Sequence, residues 1–217
     1  MELTKKEHVT LSIQGRPFEV VGMEGDECIS RLFRFDLVCA APAGSYDIAS
    51  FIGADAAMTL HDTFGIERTV QGIISETTDR ISEEGTAELH FVLHPHAYPL
   101  LLGRQSRVFQ NATVVDIVTQ IVSQTGQPFR WQVVSSYKPH EYCAQYREDD
   151  WTFATRMLEE EGIYFWFDHE GSKSTLVFSD NSASAPDLSG GAEITYAYES
   201  GLHSNRETIA ELGSRGE

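Results

Sequence analysis

Three histidines in HFVLHPH, His90, His94 and His96, are the residues of this 217-residue sequence whose type and spacing first suggest chemistry, because neutral imidazoles are common zinc ligands. Strand geometry opposes a shared ion. Four residues of strand span about 13 Å, so His90 and His94 share a face yet lie too far apart for direct ligation. His94 and His96 flank Pro95 and make only a two-ligand site. No metal ligand is assigned, and the three read as an ordinary exposed strand end.

The carboxylates Glu148, Asp149, Asp150, Glu159, Glu160 and Glu161 invite a glycosidase reading, which needs two acids at a defined separation across a cleft. Here the two groups sit at opposite ends of one predicted helix, about 15 Å apart along its axis. The first group caps the helix, and the second forms a solvated or partner-facing surface. Three acids at the negative helix end ask for a cation such as Arg147, Arg156 or a neighbouring chain. His140, Cys143 and Asp149 supply the residue types of a thiol protease, but Cys143 falls in a predicted strand rather than at an exposed helix start. The sequence contains no Gly-x-Ser-x-Gly elbow, phosphate-binding Walker loop, dinucleotide glycine fingerprint or His-Glu-x-x-His zinc motif. No catalytic residue, metal ligand or cofactor-binding residue is assigned; no cofactor is expected, and the chain is not expected to be an enzyme.

The element that positions these groups is EYCAQYREDDWTFATRMLEEEGIYFWFDHEG, residues 141–171, which reads as strand, helix, strand. Asp149 or Asp150 suits the helix start, where a carboxylate accepts from orphan amides and complements the dipole. Phe153, Ala154, Met157 and Leu158 form one apolar stripe, and Gly162 supplies the left-handed stop. Ile163 to Phe167 is a continuous run of strand formers, expected to be buried on both faces; core packing is the default for its aromatics, with one face open to a subunit contact. STLVFSD (174–180) is expected to pair with it as a hairpin.

Upstream, His8 to His94 is strand-like, with turn residues at Gly15, Gly22, Gly25, Pro42, Gly44, Gly65 and Gly85. In RLFRFDLV, Phe33, Phe35 and Leu37 share a core-facing side by period-two alternation. A small closed barrel removes exposed edges and is the expected architecture, with a sandwich as the alternative. DIASFIG (47–53) reads as a helical turn whose Ile48, Phe51 and Ile52 plug a barrel end. A second helix starts at Thr113, with Asp116 as its capping-box partner, and carries Val114, Ile117, Val118, Ile121 and Val122 on one stripe before Gly126. PFRWQVV (128–134) is a further strand. NSASAPDLSGG, from 181, reads as a linker, with a short strand at TYAY (195–198).

With 41% hydrophobic and 11% aromatic residues the chain has the material for a core, and no apolar run approaches the ~20 residues of a membrane span. The excess of 33 acids over 16 Lys and Arg opposes binding to nucleic acid or anionic lipid. Cys28, Cys39 and Cys143 lack metal or redox spacing and read as buried free thiols. No apolar signal-peptide core follows the first lysines, so synthesis is expected to end in the cytoplasm.

The 141–171 stretch, with RLFRFDLVCA (31–40), FGIERTVQGIISE (64–76) and HPHAYPLLLGRQSRVFQNATVVDIVTQIV (94–122) in that order, closely resembles VgrG proteins, the spike proteins of type VI secretion systems. The likeness extends over about residues 5–180. It implies a mainly β fold with a few helices, built from phage-baseplate-hub-like β-barrels: a first barrel over 1–100, the helix and strand-helix-hairpin portion of a second, incomplete barrel over 101–180, and a linker over 181–217. It implies a homotrimer whose paired barrels make a pseudo-six-fold ring on the hexameric Hcp tube. The spike is expelled by sheath contraction, without a signal peptide, into a target cell, with effector proteins and adaptors as cargo. No membrane insertion is expected of this region. The family's oligosaccharide-binding-type domain and β-helical needle are not in these residues, so the chain is expected to be a fragment or a truncated product. Two alternatives stand: a β-rich tail-associated glycan hydrolase, and the hub of a phage-derived tail.

Overall fold

The computed structural model describes residues 8–40, 47–61, 67–81, 87–171, 173–185, 195–196 and 208–209. Six antiparallel strands, β1 (His8–Ile13), β2 (Arg16–Asp26), β3 (Arg34–Ala40), β4 (Asp55–His61), β5 (Glu67–Ile81) and β6 (Ala87–His94), close into a barrel of order β1-β2-β3-β6-β5-β4. Alternation decides what fills it. Phe35, Leu37 and Cys39 point inward from β3, while Arg34 and Asp36 point out and bond each other at 2.7 and 2.8 Å. Phe33, just before β3, is fully buried.

The turn at Ile48–Phe51 is a 3-10 helix; Phe51 enters the barrel and meets Phe18 and Phe91 edge-on at 5.6 and 5.4 Å. Ile48 packs against this core, but Ile52 is exposed, so the plug is Phe51 with Ile48 rather than all three residues. Two glycines on these strands are required by close approach. A Cβ on Gly72 would lie 2.0 Å from the His94 carbonyl oxygen, and one on Gly25 2.3 Å from the Phe35 ring. Of the turn residues read from the sequence, Pro42, Gly44, Gly65 and Gly85 lie outside the described residues, as do most of the 181–191 segment and residues 197–198.

After the barrel come a 3-10 turn (Tyr98–Leu101), β7 (Gln105–Phe109), α1 (Val114–Val122), β8 (Phe129–Gln132), β9 (Cys143–Glu148), α2 (Asp150–Glu160), β10 (Tyr164–Asp168) and β11 (Thr175–Ser179). Helix α1 starts with the full capping box: Thr113 Oγ1 accepts from the Asp116 amide at 3.2 Å, and Asp116 accepts from the Thr113 amide at 2.9 Å. Its predicted stripe is wholly buried, and Gly126 closes the following turn at φ 71°. Helix α2 is capped by Asp149, which accepts from the Thr152 amide at 2.7 Å, and is stopped by Gly162 at φ 70°.

Strands β10, β11 and β8 form a sheet in that order, with β11 antiparallel to β10 and parallel to β8. Its inner face carries Phe165, Phe167, Leu176 and Phe178 against the helices, with Trp151 edge-on to Phe165 at 5.3 Å. The run at 163–167 is not buried on both sides. Tyr164 and Trp166 alternate outward and stack on one another, half-buried, at 5.7 Å. Among the described residues, strands β7 and β9 pair with each other alone, as a two-stranded ribbon. Phe33 of the barrel meets Phe167 edge-on at 5.0 Å, so the barrel and the helix-bearing part of residues 1–180 share one core.

Residues 181–217 form a separate unit. Its described parts are a 3-10 turn at Ser182–Ser184, capped by Asn181, and a short parallel pair, β12 (Thr195–Tyr196) with β13 (Thr208–Ile209).

Candidate functional site

The three histidines do not converge. His94 and His96 are buried, contrary to the exposed strand end expected of them, because the chain turns inward after β6 and each ring finds its own partner. His94 stacks on Tyr98 at 4.1 Å and bonds Ser75 Oγ through Nδ1 at 2.8 Å. Burial, then the Arg34 charge, pushes its pKa down to about 4. His96 bonds Asp55 through Nε2 at 2.8 Å beside an open cavity of about 220 Å³, and His90 lies 3.7 Å from Glu88. Among the described residues no group of three His, Cys, Asp or Glu is placed to hold a metal ion.

The acids divide by role. Asp149 caps α2, whereas Asp150 turns inward and accepts from the Arg107 guanidinium and from Gln145 Nε2, the latter at 2.8 Å. Arg156 is the cation that the acidic helix end required: it reaches Glu148 at 2.7 Å and Glu160 at 3.5 Å. Arg147 instead lies over the Tyr146 ring. Among the described acids with a resolved shift, Glu27, Asp36, Asp116, Asp168 and Asp180 are all pulled below the usual range, the reverse of what a general acid needs.

The thiol-protease set also disperses. Cys143 begins β9 rather than lying mid-strand, is half-buried, and donates to Met157 Sδ at 3.5 Å; burial pushes its pKa up, away from a reactive thiolate. His140 faces Glu161 at 3.9 Å. Of the cysteines read as buried, only Cys39 is fully so, with its thiol pushed up to about 12 by burial, and Cys28 is exposed.

One constellation had no sequence signal. His169 bonds Ser174 Oγ through Nδ1 at 2.7 Å and Glu27 through Nε2 at 3.0 Å, and Arg68 holds the other Glu27 oxygen at 2.5 Å. Burial pushes the Glu27 carboxyl up, but the bonds from His169 and Arg68 outweigh it and hold it below the usual carboxylate value. The residue types and order are those of a hydrolytic triad. The geometry is not, since Ser174 is 1% exposed and its hydroxyl donates to the Gln71 carbonyl oxygen at 2.7 Å, out of reach of any substrate. The array is a fastener that joins the segment after β2 and strand β5 to the β10–β11 turn.

Exposure is concentrated elsewhere. On the ribbon, Phe109, Gln145 and Cys143 face inward, whereas Val108, Ala144 and Tyr146 face out with the neighbouring Tyr142; Val108, Tyr142 and Tyr146 are 49%, 64% and 70% exposed. The barrel, with its filled interior, is thus fastened to a helix-and-sheet layer that presents an exposed aromatic ribbon.

The chain belongs to the phage tail baseplate hub (GPD) family, which matches residues 26–217. It is 35% identical over 161 residues to the type VI secretion system spike protein VgrG1b of Pseudomonas aeruginosa, covering 73% of this chain and 22% of that protein. It is 31% identical to VgrG1a of the same organism, covering 90% of this chain and 31% of the relative, so it spans less than a third of either. Among solved structures it matches the E. coli c3393 protein, described as a component of the type VI secretion system with structural similarity to the bacteriophage T4 tail proteins gp27 and gp5. That match has a TM-score of 0.73 and 31% identity, covering 81% of this chain and 50% of that one. The mainly β hub fold expected from the sequence is the fold found.

Proposed function

We propose that this chain is a structural part of a contractile injection spike of the type VI secretion class, acting at its base as one subunit of a homotrimer rather than as an enzyme. The observation that carries the reading is the closed six-stranded barrel in a chain whose family and spike-protein relatives share its hub fold. In this reading residues 1–100 form the first hub barrel, 101–180 contribute part of a second, and 181–217 lead into further regions. Trimeric barrels present a ring to the hexameric Hcp tube, and effectors with their adaptors ride on the assembled spike. The protein is assembled in the cytoplasm and leaves by contraction; no helix among the described residues is long and apolar enough to cross a membrane. The downward shift of the resolved carboxylates weighs against a glycan hydrolase.

A chimera tests the reading. The matching segment of VgrG1b is replaced by this chain, and export of the tube protein is measured in cells lacking the native spike. Restored export is the expected result. A chimera that is stable and assembled but exports nothing refutes the assignment.

A further inference from the structure

The hydrogens of the His169 fastener follow from its partners, because the groups around the ring constrain which atoms can donate. Ser174 Oγ meets the Gln71 amide at 3.1 Å, which can only donate, the Gln71 carbonyl oxygen at 2.7 Å, which can only accept, and His169 Nδ1 at 2.7 Å. A hydroxyl has one hydrogen. It goes to the Gln71 carbonyl oxygen, and the two lone pairs of Oγ accept from the Gln71 amide and from Nδ1. Nδ1 therefore carries a hydrogen. Nε2 faces Glu27 Oε1 at 3.0 Å; burial opposes the charge on Glu27, but the bonds from His169 and Arg68 outweigh it and keep the group a carboxylate. A carboxylate only accepts, so Nε2 carries a hydrogen too.

We infer that His169 stands in this joint as the doubly protonated imidazolium, and that the joint is a proton-gated device, complete only while both ring nitrogens carry hydrogen. A neutral imidazole has one N–H. Loss of either proton sets a nitrogen lone pair against Ser174 Oγ at 2.7 Å or against the Glu27 carboxylate at 3.0 Å, where the His169 side chain is 8% exposed and little water is at hand to replace the lost bond. The surrounding charges accommodate the cation. Glu27, in the segment after β2, shares its other oxygen with Arg68 of β5 at 2.5 Å, and Asp168 of β10 is held by Arg130 of β8 at 2.6 Å. Burial opposes the Asp168 charge as well, but the Glu170 amide, Arg130 and the charge on His169 hold that carboxyl below its usual range. Phe33 meets the ring edge-on at 5.6 Å, and Glu170 and Lys173 of the same turn are exposed. Opening the gate is a local event. It frees the β10–β11 turn from Glu27 and weakens its hold on β5, while the edge-on contact of Phe33 with Phe167 keeps the barrel and the sheet together.

Nitrogen-15 NMR of the labelled full chain reads the ring directly, with His169 assigned by its through-space contacts to the Phe33 ring. At about pH 7.5 a free imidazole, which titrates near 6.5, has given up its second proton in about nine molecules of ten. His169 should still show both ring N–H groups there. A ring with a single N–H at that pH overturns the inference. Urea unfolding gives a second reading. A ring held as the cation in the fold contributes fully below about pH 6.5, and its contribution falls about tenfold in the folding constant for each pH unit above that, until the folded ring gives up its proton. The advantage of the native chain over His169→Phe should therefore shrink as pH rises across about 6.5–8.5. The proton uptake of His94 lies at lower pH, between 6.5 and about 4, and does not enter this window. An advantage that stays level across the window overturns the gate. Both readings use the chain alone, so they fail or stand separately from the secretion role.

Discussion

His169→Phe isolates the fastener that joins the barrel to the β10–β11 turn. The native ring stands edge-on to Phe33 at 5.6 Å with its side chain 8% exposed, so phenylalanine keeps the packing and deletes only the two hydrogen bonds. The bond to Ser174 contributes about 1 kcal/mol and the one to the Glu27 carboxylate about 1.5–3 kcal/mol. Glu27 remains anchored by Arg68, and Ser174 still donates to Gln71, so the loss is set at about 2–3 kcal/mol. For a chain of this size that lowers Tm by about 4–12 °C. His169→Ala should lose about 1 kcal/mol more, through the ring contact with Phe33. Urea unfolding is the assay, with the midpoint falling at unchanged slope. The effect also has a pH signature. The Glu27 carboxyl is held below its unfolded value, so its contribution is present above the usual carboxylate range and is lost as pH falls through the folded value. Loss of the His169 bond lets that value rise toward the unfolded one, so the part of the acid-range loss of stability that comes from Glu27 should shrink. A His169→Phe chain with an unchanged midpoint at neutral pH and an unchanged acid limb would falsify the fastener reading.

His94 is held neutral with its pKa lowered from 6.5 to about 4, so the unfolded chain takes up the proton first; stability should fall by up to about 3 kcal/mol between pH 6.5 and 4, and His94→Gln should flatten that window in denaturation curves taken at successive pH values. Thr113→Ala removes the hydroxyl that accepts from the Asp116 amide and should lower stability by about 1 kcal/mol in urea; an unchanged midpoint would show that the cap is dispensable. Gly72→Ala drives a methyl against the His94 carbonyl oxygen and should disrupt the β4–β5–β6 wall, seen as loss of soluble protein or a Tm drop well beyond that of Thr113→Ala; tolerance would mean that the wall relaxes more readily than a packed barrel should.

How much was legible follows from how far each signal reaches along the chain. Thr113 with Asp116, Asp149 with Thr152, and Gly162 act within four residues of themselves, and the alternation of Phe33, Phe35 and Leu37 is a property of five consecutive positions. Each reads directly. The burial of His94 and His96 does not, because it depends on Ser75 and Asp55, placed there by strands paired 19 and 41 residues away. Glu27 and His169 are 142 residues apart, and no periodicity links them. The outward turn of Tyr164 and Trp166 has the same origin. An apolar run looks two-sided in sequence, and only the sheet's neighbours determine which face is covered.

The charge distribution shows how the described unit is tied together. Arg34, Arg68, Arg107, Arg130 and Arg156 are each engaged by an acid of this same unit, so they tie its strands and helices together and add little attraction outside it. Cations engaged inside the fold stiffen it. Neutralising Arg68 or Arg156 should therefore lower the urea midpoint, and an unchanged midpoint would refute the tying role given to these pairs.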